Sequence, residues 1–314
     1  MAFGKRKFSQ LFLDIVGKPL EQSVQLCEHS NFRIGGSADY FFKATLALDL
    51  VKTIRLAREN SLPYYIIGKG YNLLFDDMGF RGLIIKNCAI GIKRIGKGKI
   101  EVFSGTSLYD LLQFCVDKGL GGLEFLAGIP GTVGGAVFGN AGAFGQDIGK
   151  FLKEAVLLNE KGEEIKVKRE YFEFGYRQSL LKKKHEVLLK VVFGLQEEEG
   201  ERIKAKIEEN LEKRKKKHPP LDIACAGSYF KNPVLPKGKK VPAAYLLDQV
   251  GAKNLEIGGA RVYSAHANFI INQEGASARD VLCLASELKR RVKEKFDVEL
   301  EEEVIFLPAE SSMP

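Results

Sequence analysis

At 314 residues the chain is longer than one hydrophobic core normally supports, so two or three domains are expected. Its 45% hydrophobic and 28% charged residues exclude an intrinsically disordered chain, and no run approaches the apolar length of a membrane span. A net charge of +8 favours acidic partners, either a phosphate-rich small molecule or a nucleic acid. The basic start MAFGKRKF leads into an apolar stretch interrupted by Ser9, Gln10 and Asp14, with no small-residue cleavage site. It is not read as a signal peptide, and a cytoplasmic protein is expected. Cys27, Cys88, Cys115, Cys225 and Cys283 form no CxxC pair, and with four histidines they give no metal-ligand spacing, so no metal is expected.

In chain order, Thr45–Asn60 predicts an amphipathic helix with Leu50, Val51, Ile54 and Ala57 on one face and Pro63 as a stop. YYIIGKGYNLLFDD, from Tyr64, predicts a buried strand running into a glycine turn. RGLIIKN and KIEVFSG are further strands. SLYDLLQFCVDKGLGG reads as a helix, with Ser107 and Asp110 at its start and Gly119 at its end. Then comes AGIPGTVGGAVFGNAGAFG, Ala127 to Gly145, with a glycine at nearly every third position. Its irregular spacing excludes collagen, and Ile129, Val133, Val137, Phe138 and Phe144 would be wasted in a flexible linker. A half-buried loop whose amides face an anionic ligand remains.

Strands follow in AVLLNEKGEEIKVKR and EVLLKVVFGL. A helix from about Glu201 to Lys217 is stopped by Pro219 and Pro220. Its basic end, KIEENLEKRKKKH, reads as solvated cations complementing a helix C-terminus, with a polyanion-binding patch as the alternative. VPAAYLLDQVGA, a long helix opened by Ser277 and Asp280, and a strand in DVELEEEVIFL complete an α+β chain of at least two domains.

Several motifs could carry chemistry. Gly68-x-Gly70 follows a strand but is neither a dinucleotide fingerprint nor a Walker A loop. With Ala127–Gly145 it could clamp a pyrophosphate through backbone N–H groups. AGSYFKNP offers Ser228 in a rigid loop, as a turn cap or as a positioned proton donor. FGYRQS sets Arg177 among aromatic residues, where stacking is the plain reading. In EEEVIF alternation would turn one carboxylate inward beside Val304 and Phe306, though three glutamates in a row by themselves read as a solvated edge. His266 in SAHANFIIN is either a core histidine or a ligand contact.

Taken in order, NFRIGG, IGKGYNLLFDD, GLEFLAGIPGTVGGAVFGNAGAFG, FGYRQS, AGSYFKNP, AAYLLDQVGAK and HANFIIN resemble the UDP-N-acetylenolpyruvoylglucosamine reductases, FAD enzymes of bacterial peptidoglycan synthesis. The resemblance runs from about Asn31 to Phe306. It implies a vanillyl-alcohol-oxidase-type FAD-binding region of two subdomains, residues 1–86 and 87–200, with 300–314 packed near the first. A substrate domain would span residues 201–299. It implies NADPH as the reductant of FAD and a UDP-sugar enolpyruvyl ether as substrate, with no nucleic-acid partner and a monomer or weak oligomer.

Carried over by residue, the resemblance makes Ser228 the proton donor to the substrate carbon. Arg177 and Glu303 become the pair that activates the enolpyruvyl carboxylate, with Glu303 chosen over Glu301 and Glu302. Cofactor contacts fall on Gly68, Gly70, Asn72 and Leu73, and on Gly128, Ile129, Pro130, Gly131, Thr132, Gly134, Gly135, Asn140 and Gly142. Substrate contacts fall on Tyr176, Lys231, Asn232 and His266, and Lys231 is a candidate to assist Ser228. The chain departs from the family pattern at Tyr71, where serine is usual, and at Thr132. It also lacks the extra tyrosine-bearing loop of one branch, which places it in the shorter type. Two alternatives stay open: a flavin oxidase of the same superfamily, and a polyanion-binding protein using Lys206–His218.

Overall fold

A computed structural model describes residues 5–235 and 238–310. Met1–Gly4, part of the stretch read for a cleavage site, and residues 311–314 of the final segment lie outside them.

The first unit is a four-stranded sheet in the order Glu21–Gln25, Ser37–Ala44, Phe80–Asn87, Tyr64–Ile67. Its last three strands run parallel and are covered on both faces, which is why FRGLIIKN reads as a continuous apolar run. On one face lie helices α1 (Lys5–Val16) and α2 (Ala47–Glu59), burying Phe8, Phe12, Leu50 and Ile54. Phe41, Ile67, Phe75 and Ile84 fill the other face. The strand expected from Tyr64 is broken in two by the glycine turn. Leu73–Phe75 leaves the sheet and pairs in parallel with Ile305–Leu307, so the chain end returns to the first unit.

The second unit is an antiparallel sheet of five strands, in the order Glu164–Lys168, Leu152–Leu158, Val187–Gly194, Lys99–Phe103, Ile92–Gly96. Helix α3 (Leu108–Lys118) packs on it, started by the Ser107 side chain accepting from the Asp110 amide and ended at Gly119 with φ 62°. The glycine-rich stretch is not all loop. Val133–Phe138 winds into a short helix, α4, because Thr132 caps it and Val133, Ala136 and Val137 are buried on one side. Helix α5 (Gly200–Lys215), expected to open the last domain, sinks Ile203 and Ile207 into this second core.

The third unit holds α6 (Ala243–Gln249), α7 (Ala278–Phe296) and a small antiparallel sheet of Glu256–Ile257, Ala260–Val262 and Ile270–Asn272. Ser277 and Asp280 form the expected capping box on α7. The core of this unit also takes in Phe32, Ile34 and Leu74 from the first unit, so the two share one hydrophobic seam. Among the described residues no helix is long and apolar enough to cross a membrane, and no side-chain cluster could hold a metal ion.

Candidate active site

The two glycine-rich stretches meet. A side chain at Gly68 would bring its Cβ to 2.6 Å from Thr132 Oγ1, and one at Gly70 would collide with the His29 carbonyl. The neighbouring N–H groups of Lys69, Gly70, Tyr71 and Asn72, and those of Gly131 and Thr132, make no hydrogen bond among the described residues. Gly134 and Gly135 differ from expectation. Their amides are spent inside the protein, on the Ser104 carbonyl at 2.7 Å and on Thr132 Oγ1 at 3.3 Å. Only Gly135 offers a bare surface instead of a donor, with no protein neighbour closer than 3.6 Å to a side chain there, while a Cβ at Gly134 would stand 3.0 Å from the Ser104 carbonyl. Gly128 and Pro130 are exposed beside it, and Ile129 packs partly into the second core. Leu73 is buried, and its carbonyl accepts from Ser30.

Asn140 and Gly142 connect this surface to FGYRQS. Asn140, with φ 42°, donates to the Gly175 carbonyl at 2.8 Å and accepts from the Gly149 amide at 3.0 Å, so its amide is a clamp between loops. Arg177, with φ 56° in a turn closed by Gly175 and Gln178, donates to the Gly142 carbonyl at 2.9 Å. Its Nε lies 2.6 Å from Glu303 Oε1, angled as an ion pair and not a linear hydrogen bond. Only about a fifth of either side chain is exposed. Burial raises the Glu303 pKa above the ordinary carboxylate value, and the charges of Arg177, Lys182 and Lys231 oppose that rise.

Ser228 comes to the same place through the backbone. The Glu303 amide donates to the carbonyl of the next residue, Tyr229, at 2.7 Å, and Phe230 bridges Glu302. The Ser228 hydroxyl is half-buried and makes no hydrogen bond among the described residues. Tyr176 Oη accepts from the Asn232 amide at 3.2 Å, which carries the third unit onto the turn holding Arg177. The Asn232 Oδ1 accepts from the Ala243 amide at the start of α6. Lys231 pairs with Glu301 at 2.9 Å, and its charge also acts on Glu303. His266 is not brought to this cluster by any contact. It packs edge-on to Phe269 and His218, accepts from the Asn268 amide, and has its pKa lowered by burial, as a core ring does.

Three cations near the cluster escaped the reading of the sequence. Lys240 rests on the Tyr176 ring, 2.7 Å from its centroid. Lys182 lies 5.7 Å from the centroid of Phe138 at the end of α4. Arg214 on α5 packs against Gly128, with Cδ 2.8 Å from where a Cβ would stand. Its Nε is buried without a partner, and burial plus the nearby Arg177 lower its pKa to about 10. Each sits in a lysine-rich run that offers no spacing signal, and only the folded chain brings them near Arg177.

Comparison with known proteins agrees with this geometry. Residues 38–168 match the model of an FAD binding domain, and residues 219–307 match that of the UDP-N-acetylenolpyruvoylglucosamine reductase C-terminal domain. A UDP-N-acetylenolpyruvoylglucosamine reductase from Clostridium botulinum (strain 657 / Type Ba4) is 38% identical over 310 residues, 98% of this chain and 99% of that one. Another from C. botulinum (strain Alaska E43 / Type E3) is 37% identical over 95% of each. The crystal structure of UDP-N-acetylenolpyruvylglucosamine reductase from Thermus caldophilus superposes with a TM-score of 0.76 at 32% identity, covering 92% of this chain and 99% of that one. Similarity of this depth along nearly the whole length establishes that the chain belongs to the UDP-N-acetylenolpyruvoylglucosamine reductase family.

Proposed function

We propose that the cleft around Arg177, Glu303 and Ser228 reduces UDP-N-acetylglucosamine enolpyruvate to UDP-N-acetylmuramate in peptidoglycan precursor synthesis, with FAD bound and NADPH as co-substrate. One observation carries the assignment of roles: the half-buried Arg177–Glu303 pair is fastened to both glycine loops, to one through Gly142 and to the other through Asn72. The residues fit the cofactor. Free amides at 69–72 and 131–132, the bare face at Gly135 and the unpartnered Nε of Arg214 form a donor-lined cradle, with Gly68 packed too tightly to carry a side chain. Bound FAD supplies hydride transfer.

The protein's own part is placement and charge. Arg177, held by Glu303 and Gly142, presents a guanidinium to the substrate carboxylate, where negative charge develops as the double bond is reduced. The Ser228 hydroxyl, which makes no hydrogen bond among the described residues, delivers the proton to the neighbouring carbon and leaves the lactyl ether. Tyr176, Lys231 and Asn232 border the substrate side, and with the Asn232 backbone amide and Oδ1 engaged, its Nδ2 is the group left to donate to a ligand. The same reading includes two cofactor-binding subdomains, a substrate domain, a cytoplasmic location, and a monomer or weak oligomer that binds no nucleic acid.

The test is Ser228→Ala, followed by anaerobic flavin absorbance. The variant should bind FAD and bleach with NADPH at the wild-type rate. Recolouring on addition of the enolpyruvyl substrate should slow by about 100-fold or more. Wild-type recolouring in the variant would remove Ser228 from the chemistry.

A further inference from the structure

The reading above brings a second carboxylate, that of the enolpyruvyl group, to a site that already contains Glu303. Before binding, one guanidinium balances one carboxylate at 2.6 Å. Adding the substrate leaves one negative charge over, and two carboxylates sharing one cation in a desolvated cleft force one of them to take a proton. A second cation would remove that need.

The charged groups that face Glu303 are Arg177, Lys182 and Lys231, and Lys240 also feels its charge. Arg214 acts in turn on Arg177. Arg177 is committed to Glu303 and Gly142 and Lys231 to Glu301, while Lys240 lies on the Tyr176 ring from a loop separate from the segment that carries Arg177. Lys182 has no carboxylate partner and no hydrogen bond among the described residues; its ammonium rests only over Phe138. Its position is nevertheless fixed. Ser179 Oγ donates to the Phe138 carbonyl at 2.8 Å, and Leu181 is buried within the short helical turn Leu180–Lys182. That turn begins three residues beyond Arg177, so both cations ride on one rigid segment.

We propose that Lys182 is a positioning residue for the carboxylate pocket: it supplies the second positive charge, so that Glu303 stays ionised and keeps hold of Arg177 while the substrate carboxylate binds. This rests on the proposed function. Lys182 therefore acts on ligands that carry the carboxylate and is indifferent to the rest of the UDP-sugar.

The test is a flavin-absorbance titration of the FAD-loaded protein with UDP-N-acetylmuramate, which bears the lactyl carboxylate, and with UDP-N-acetylglucosamine, which does not. Wild-type affinity for UDP-N-acetylmuramate should be flat from about pH 6 to about pH 8, with no proton taken up. Lys182→Met should weaken it by about 5-fold at the upper pH and recover toward wild type at the lower one, as Glu303 protonates to replace the lost charge. Lys182→Arg should restore the flat profile, and UDP-N-acetylglucosamine should bind all three proteins alike. A flat profile in Lys182→Met, or an equal loss for both ligands, would overturn the proposal. A wild-type flavin spectrum that responds to neither ligand would instead sink the functional reading beneath it.

Discussion

The Asn72 side-chain amide donates to the backbone carbonyl of Glu303 at 3.0 Å, and the Asn72 carbonyl accepts from the Ile305 amide at 3.1 Å. The first glycine loop is thereby tied to the segment that aims the inward carboxylate. Asn72→Ala should retain bound FAD and cost about 1 kcal/mol of stability. Turnover should fall by about 10-fold as Glu303 loses its register with Arg177. Flavin content and steady-state rate, measured on one preparation, separate this from a lost cofactor contact: an apoprotein that regains full rate with added FAD would contradict it.

Burial holds the Glu303 pKa above its unfolded value, against the pull of Arg177 and Lys182. An acid raised in this way favours the folded state below its unfolded pKa, and that contribution is lost as pH rises through the folded one. Wild type should therefore lose stability relative to Glu303→Gln over that window. Urea midpoints of the two proteins on either side of it give the measurement. A difference between them that does not change with pH would mean the carboxylate is ordinary.

Gly68 and Thr132 are the point where the two loops touch. In Gly68→Ala the new methyl group meets Thr132 Oγ1 at 2.6 Å, and it should part the loops and lower FAD occupancy. Thr132→Ala removes that oxygen along with the α4 cap, at about 1 kcal/mol. In that background Gly68→Ala should cost less than it does alone. Additive losses of bound flavin in the double variant would mean that the contact does not control the cradle.

Asp77 caps a helix of another unit: its carboxylate accepts from the α7 amides of Ala278 at 2.8 Å and Arg279 at 3.3 Å. Asp77→Ala should destabilise the protein by about 1 kcal/mol and raise hydrogen exchange in the first turn of α7. Asp77→Asn, which keeps an acceptor oxygen, should lose less. Unchanged exchange in that turn would show that Ser277 and Asp280 suffice.

Local signals made much of this chain legible. The helices at Leu108–Lys118 and Ala278–Phe296 begin at a serine followed three residues later by an aspartate, and the caps form because that pairing is local chemistry. Apolar periodicity placed α2, and the order of short motifs singled out Arg177, Ser228 and Glu303, of which the fold joins Arg177 and Glu303 in an ion pair. The glycine stretch was only half legible. A run so poor in helix formers reads as loop, yet burial of Val133, Ala136 and Val137 outweighs the weak propensity and winds α4.

By itself the sequence determined the elements that depend on neighbours within a turn or two, the exclusion of a metal motif, and the family to which the motifs belong. Only the tertiary structure decided what the polar groups are free to do. It spent the amides of Gly134 and Gly135 and the Oδ1 of Asn232 on internal partners, paired Lys231 with Glu301, and gathered Lys182, Lys240 and Arg214 around Arg177. The physical reason is that a donor or a charge can serve a ligand only with the capacity that folding leaves free. Apart from Thr132, which caps α4 locally, those partners lie 11 to 70 residues away along the chain, where no local pattern records them.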